Sequence, residues 1–345
     1  MERIALFNED NLELMKRLPD DSVDVICIDP PYLYLKNQKL ERPFDELKFF
    51  SECARLLTKN GFIVMFGRGE SFYRWNTLLE NTRLYQGKYV YVEKRVTISN
   101  NVDVKENLYY NSVDISGNKD FKKVFTFKEE IVWNKSMGTS PLSKLCRVHE
   151  TIAIFSKGDA AINKIKVPYL ESKNFDLEKI QVDINRINSS LGKPESIQFL
   201  KDFIEGNRSD MELNTRFTKH KVTSDIRKSG AREVNTLASI QNGITEKSII
   251  NVVREHYNTI HPTQKPVRLL ERLLKLVLPM KSKKIVIADF FSGSASCGEA
   301  VINLQSEFPD IDFEFIGCEI DEEYFNAGKE RIEKLQPKQP ELFEN

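Results

Sequence analysis

A chain of 345 residues is long enough for two or three compact units, and 40% hydrophobic with 30% charged residues is ordinary globular composition, neither disordered nor fibrous. Lys+Arg and Asp+Glu both number 51, so the formal charge is zero; taken whole, this argues against a nucleic-acid partner, which usually leaves a basic footprint. No run approaches the roughly 20 apolar residues of a membrane span, MERIALFNED turns acidic too soon for a signal-peptide core, and five scattered cysteines without a CxxC pair fit reduced thiols in a cytoplasmic protein.

In chain order, residues 4–7 read as a short strand, followed by a helical pattern through Leu12, Met15 and Leu18. Residues 23–28 form a near-continuous apolar run, as in a strand buried on both faces of a parallel sheet. The run stops at Asp29-Pro30-Pro31-Tyr32. A helix is predicted over about 45–58 and a second buried strand over 62–66. Residues 84–125 are rich in Tyr, Asn, Lys and Val, with turn signals at 99–101 and 116–118, and read as a hairpin-bearing insertion. Strands resume at 130–133 and 151–155. Residues 158–257 are polar, with helical stretches near 174–205 and a Ser/Thr/Lys/Arg-rich segment over 213–235, and read as a separate lobe. The alternation returns with a helix at 265–278, a strand at 284–288, a turn at 289–298, a helix to about 306, a strand at 313–317 and a helix at 321–335. The tail after Pro337 is expected to fray. The prediction is an α/β core split in sequence, 1–157 and 258–345, around an inserted lobe at 158–257.

Four segments could carry chemistry. Asp29-Pro30-Pro31-Tyr32 directly follows a buried strand, and ligands bind at strand C-termini in open parallel sheets. The prolines fix the backbone, Asp29 offers a fixed acceptor and Tyr32 a flat stacking face. The alternative is a polar turn with a capping Asp. Residues 288–296 form a small-residue turn between strand and helix, where a ligand can approach the backbone at a helix N-terminus; any tight strand-to-helix turn could look similar. About 25 residues on, Glu319 and Asp321 end the next strand, where nucleotide-binding α/β proteins bond ribose hydroxyls. Asp321 could equally cap the helix that follows, leaving Glu319 as the ribose contact. In His261-Pro262-Thr263-Gln264-Lys265-Pro266, Thr263 can cap the next helix, and Lys265 beside a helix N-terminus suits a carboxylate ligand. A capped helix start explains that segment as well. Gly67-Arg68-Gly69 fails as a dinucleotide fingerprint because Phe72 stands where a third glycine is needed. Cys146 and His149 have no second ligand pair, so no metal site is expected, and no serine nucleophile elbow is visible.

Together these residues resemble the amino-group DNA methyltransferases. Asp29-Pro30-Pro31-Tyr32 is similar to their DPPY motif, residues 289–294 to their F-x-G-x-G cofactor motif with its preceding acid, and residues 261–266 to their HPTQKP block. The motif order, DPPY first and cofactor motif last, is similar to the β subgroup, in which the intervening lobe recognises the target. The resemblance covers about 1–80, 126–157 and 258–336. Ala295 departs from the family's usual glycine, and Glu9-Asp10 stands in place of Gly-Asp.

The resemblance implies a Rossmann-like, doubly wound, mostly parallel sheet of the class I methyltransferase type with an inserted target-recognition lobe. It implies S-adenosyl-L-methionine as cofactor and double-stranded DNA as partner. Asp29, Pro30, Pro31 and Tyr32 match the catalytic positions. Asp10, Asp29, His261, Thr263, Gln264, Lys265, Asp289, Phe291, Ser292, Gly293, Ser294, Glu319 and Asp321 match the cofactor side. Asp29 and the Pro30 carbonyl would hold the two hydrogens of an exocyclic amine, and Tyr32 would stack on the flipped-out base. Motif order favours adenine N6 over cytosine N4. An RNA or protein-glutamine methyltransferase would carry Asn at Asp29 and lack the lobe. A non-catalytic DNA-binding relative conflicts with the intact DPPY. The recognition sequence, a homodimer and a cognate restriction endonuclease are left open.

The zero charge is a cancellation. Residues 289–345 hold 14 acidic and 4 basic residues, so residues 1–288 carry the opposite excess of ten. Within 213–235, Arg216, Lys219, Lys221, Arg227, Lys228 and Arg232 face only Asp225 and Glu233 in number, and this segment is expected to contact DNA phosphates. A solvated charged face is the plainer alternative.

Overall fold

The computed structural model describes residues 3–32, 42–92, 121–136, 144–146, 148–188, 231–254, 259 and 264–335, with the side chains of 231–234 set aside. The described strands are β1 (Ile4–Phe7), β2 (Val23–Ile28), β3 (Leu57–Gly67), β4 (Thr82–Tyr85), β5 (Lys88–Tyr91), β6 (Lys122–Lys123), β7 (Phe125–Asn134), β8 (His149–Lys157), β9 (Lys166–Val167), β10 (Ile244–Thr245), β11 (Ile249–Asn251), β12 (Lys284–Asp289) and β13 (Asp312–Cys318). The described helices are α1 (Asn11–Arg17), α2 (Glu46–Leu56), α3 (Gly69–Asn81), α4 (Tyr169–Ser172), α5 (Leu177–Asn188), α6 (Ala231–Asn242), α7 (Val267–Val277), α8 (Ser296–Glu307) and α9 (Glu322–Leu335). The chain divides into two compact units, Met1–Asn163 with Ser248–Asn345, and Lys164–Lys247.

The first unit is built on an eight-stranded sheet in the order β1-β13-β12-β2-β3-β8-β7-β11. Every neighbouring pair is parallel except those of β8, which runs antiparallel to β3 and β7. The apolar run of β2 is buried at every position except Asp24. Asp24 explains itself: its carboxylate accepts from Thr58 Oγ1 at 3.0 Å and from Val286 N at 2.9 Å, tying β2 to both neighbours where the β2–β12 ladder is short. Side chains alternate across the strand. Ile26 and Ile28 pack with Phe49, Phe50 and Leu56 of α2, whereas Cys27 meets Cys297 at the start of α8. Helices therefore cover both faces. On α7, Leu269, Leu270, Leu273, Leu274, Leu276 and Val277 form one buried stripe, each worth about 1.5–3 kcal/mol on burial.

Three features differ from the sequence expectation. The hairpin β4–β5 turns at Gln86-Gly87, both at positive φ (47° and 77°), a two-residue primed turn. The turn signals at 99–101 and 116–118 lie outside the described residues. Gly67, set aside as a failed fingerprint, has a packing role: a Cβ there would sit 2.2 Å from Phe72 Cδ2, so only glycine lets α3 close onto β3. The second unit is also shorter at both ends than the expected lobe of 158–257. Asn163 bonds Leu276 O at the end of α7, and β11 is an edge of the main sheet, so both flanks belong to the first unit.

In the second unit, β9 pairs antiparallel with β10 and α4, α5 and α6 pack together. Its centre is Asp183, buried and accepting from Tyr169 Oη at 2.9 Å, Lys173 Nζ at 2.5 Å and Arg186 Nη1 at 2.6 Å. Burial and that neighbouring carboxylate push the Tyr169 hydroxyl up to about 12. Arg216, Lys219, Lys221, Arg227 and Lys228 lie outside the described residues; Arg232 lies in α6 with its side chain outside them.

Candidate active site

A cavity in the first unit lies at the C-terminal ends of β1, β2, β12 and β13. Strands that run parallel deliver their following loops to one edge, which is why residues far apart in sequence converge there. Of the sequence-predicted catalytic and cofactor residues, Asp10, Asp29 to Tyr32, Gln264, Lys265, Asp289, Phe291 to Ser294, Glu319 and Asp321 all line it. His261 and Thr263 lie outside the described residues. Helix α7 begins with Pro266 at its cap position and no side-chain cap, so Thr263 stands three residues too early to cap it.

One wall is a pair of acid-bearing turns. After β12, Asp289 Oδ1 accepts from Phe291 N at 3.0 Å, and the chain turns tightly with Ala295 N donating to Ser292 O at 2.8 Å. Ala295 adopts φ 56°, the left-handed region that its usual glycine would occupy without strain. After β13, Glu319 joins the two turns: Oε2 accepts from Gly293 N at 2.9 Å and Oε1 from Asp321 N at 2.8 Å. Asp321 Oδ1 accepts from Glu323 N at 3.1 Å, so it does cap α9. Asp10 caps α1 through Leu12 N at 2.9 Å. Burial raises the Glu319 carboxyl, against the two N–H donors. Burial also pushes Asp289 up to about 8, opposed by the Phe291 N–H.

The opposite wall is the Asp29 loop. Tyr32 Oη donates to Asp29 Oδ1 at 2.6 Å, and Lys265 Nζ donates to Asp29 Oδ2. Lys265 is also 3.3 Å from Glu150 Oε2 on β8, and Glu150 Oε1 accepts from Lys135 Nζ at 2.9 Å. Burial raises the Asp29 carboxyl, with Glu150 adding and Lys265 opposing. Burial would lower Lys265, but Asp29 and Glu150 outweigh it and the ammonium is held charged. Burial would raise Glu150, yet Lys265 and Lys135 hold it down to about 2. Lys265 thus serves Asp29 and Glu150 rather than standing free for a carboxylate ligand. An aromatic wall completes the site, with Phe44 edge-on to Phe291 at 5.1 Å and Tyr32 tilted on Trp75 at 6.1 Å.

Sequence reasoning missed Glu150, Lys135, Asn11 and Phe44. Glu150 carries the weak signal of an acid at the edge of an apolar strand; Phe44 carries none beyond its aromaticity.

Fold and cavity define an α/β protein whose sheet edge carries an Asp-Pro-Pro-Tyr loop facing two acid-bearing turns across one cavity. The chain belongs to the N6/N4 DNA methylase family, whose profile matches residues 23–330. It is similar to DNA adenine methyltransferase YhdJ of Escherichia coli K12, 22% identical over 338 residues that cover 95% of this chain and 82% of that one. It is also similar to Type II methyltransferase M.HinfI of Haemophilus influenzae, 20% identical, covering 96% of this chain and 69% of that one. A local match to Type II methyltransferase M.BamHI of Bacillus amyloliquefaciens is 32% identical over 89 residues, 21% of this chain and 19% of that one. Among solved structures, the M1.HpyAVI–SAM complex aligns with a TM-score of 0.45 at 16% identity, covering 95% of this chain and 99% of that one. PvuII DNA methyltransferase (cytosine-N4-specific) aligns at 0.47 and 12%, covering 97% and 92%.

The chain is therefore a DNA methyltransferase, and S-adenosylmethionine is its methyl donor. The residues present fit that donor. Asn11 lines the cavity with a buried Oδ1 that has no partner among the described residues. Asp289 is an acid that burial, with Asp29 and Glu319 adding and the Phe291 N–H and Lys265 opposing, pushes up to about 8, and a sulfonium cation beside it would favour its charged form.

Proposed function

We propose that this chain methylates the exocyclic N6 of a flipped-out adenine in double-stranded DNA. The carrying observation is a half-buried Asp29 acceptor, fixed at the end of β2 in the same cavity as the Asp289 and Glu319 turns. The amine of adenine is a poor nucleophile because its lone pair is delocalised into the ring. Asp29 accepts one amine hydrogen and the Pro30 carbonyl the other, which turns the nitrogen toward a tetrahedral shape and frees the lone pair. S-adenosylmethionine, when bound, supplies an electrophilic methyl. The protein contributes positioning and electrostatics rather than a covalent link. Asp29, raised by burial, takes the proton the amine sheds once methylated.

Asp10, Asn11, Asp289, Phe291, Gly293 and Glu319 hold the cofactor in this reading, and Tyr32 stacks on the base. The Asp at the first motif position and the adenine specificity in the name of the E. coli relative support adenine over cytosine. The inserted unit and the basic residues of 213–235 are assigned to target recognition. The test is mass spectrometry of nucleosides from unmethylated genomic DNA incubated with the protein and S-adenosylmethionine. N6-methyladenine is the expected product; N4-methylcytosine alone overturns the base assignment, and neither product overturns the reading. Sequencing of the same DNA gives the target site.

A further inference from the structure

Both oxygens of Asp29 are already engaged: Tyr32 donates to Oδ1 and Lys265 to Oδ2. If Asp29 is the amine acceptor, the incoming hydrogen shares an oxygen with one of these donors and weakens its hold, and loosening Lys265 leaves a buried ammonium short of a partner. Glu150 lies where that ammonium can go. Its Oε2 is buried, makes no hydrogen bond among the described residues, and already lies 3.3 Å from Lys265 Nζ. A shift of about half an ångström would make this an ordinary charge-assisted bond. The other oxygen is pinned by Lys135, itself buried, so Glu150 cannot swing away.

We infer that Glu150 is a positioning residue: it takes over the Lys265 ammonium when the substrate amine takes Asp29. This rests on the reading of Asp29 as amine acceptor. Phe66 holds the hand-over on a short track, its ring 5.0 Å below Lys265 Nζ. The charged and titratable groups around Asp29 are then Tyr32 on its own loop, Lys265 before α7, Glu150 on β8 and Asp289 after β12. Among the described residues around Asp29, only Glu150 can accept the displaced charge without a competing backbone donor, since Asp289 already accepts from Phe291 N.

The test uses DNA carrying the target site found above, with Glu150→Gln, Glu150→Asp and the double variant Glu150→Gln/Lys135→Met, which leaves no unpaired rear lysine. In both Gln variants Lys265 loses its second anionic partner and keeps Asp29 as its one carboxylate among the described residues. The single-turnover methylation rate should fall at least tenfold, with S-adenosylmethionine affinity within about twofold of wild type. The acid limb of the rate profile should move to lower pH, because a negative neighbour of Asp29 is gone. Glu150→Asp should recover part of the rate. An equilibrium readout runs alongside: wild type should bind adenine more tightly than amine-free purine at the target position, and the Gln variants should lose that preference at least threefold. A folded double variant with a rate within threefold of wild type, or a slow one whose acid limb and adenine preference are unmoved, overturns the assignment while leaving the proposed function standing. A wild-type chain that methylates no adenine removes the function and this inference with it.

Discussion

Asp289→Asn isolates the cost of keeping an acid in the cavity at the strand ends. Burial is the main cause that pushes this carboxyl from the ordinary 3.8 up to about 8. Between those values the folded chain keeps a proton that the unfolded chain has lost. Stability therefore falls as pH rises, by about 1.36 kcal/mol per pH unit, and the loss is complete above about pH 8. From about pH 5.5 to about pH 8 this amounts to roughly 3 kcal/mol. Asparagine keeps an oxygen for the Phe291 N–H and carries no charge, so the variant escapes this loss. Its melting temperature should exceed that of wild type by roughly 4–6 °C more at the higher pH than at the lower, at about 2 °C per kcal/mol. Scanning fluorimetry of the cofactor-free protein at both pH values measures it, and calorimetry should show weaker S-adenosylmethionine binding by the same variant. A melting-temperature difference that does not change with pH would refute the reasoning.

Asp29→Ala should abolish methyl transfer, by at least about a thousandfold, while the chain stays folded with Lys265 still paired to Glu150; retained activity in a radiolabelled methyl assay sinks the role of Asp29. Ala295→Gly should stabilise the protein by about 0.5–1 kcal/mol, since glycine takes φ 56° without the Cβ clash and gives back part of the gain in the unfolded chain; a lower melting temperature counts against strain at this turn. DNA affinity should drop steeply between about 50 and 200 mM salt, as expected when several phosphates are contacted. Binding that ignores salt would rule out the basic segment as the contact surface.

The three turns bearing Asp29, Asp289 and Glu319 were legible in the sequence for one reason: each follows a largely apolar strand in the middle of the sheet. Residues 23–28, 284–288 and 313–317 announce themselves as apolar runs, and the polar residues that end them have to lie at one edge of the sheet. Glu150 and Lys135 were not legible because their meaning is a cross-strand contact. They lie on antiparallel neighbours, and their target Lys265 arrives from another part of the chain. Nothing local distinguishes an acid in such a network from an exposed strand end. The reversed direction of β8 was equally silent, since an apolar run carries no arrow. Helix α3 has a signal of its own in the helical spacing of Phe72, Trp75, Leu78 and Leu79, all buried. The flank 248–257 was misgrouped because polarity, not pairing, set the boundary, while β11 adds only three residues to the sheet.

The strand order has a consequence for how the protein is made. β12 and β13 fill the gap between β1 and β2, so the last of the described strands complete the middle of the sheet rather than its rim. Until residues 284–318 leave the ribosome, β1 and the strand bearing Asp29 each present an unpaired edge, and the sheet can close only by contacts spanning nearly the whole chain. The inserted unit, Lys164–Lys247, has its contacts local and can fold first. A nascent chain of this protein can thus hold a finished insert while the Asp29 loop has no β12 and β13 turns to face.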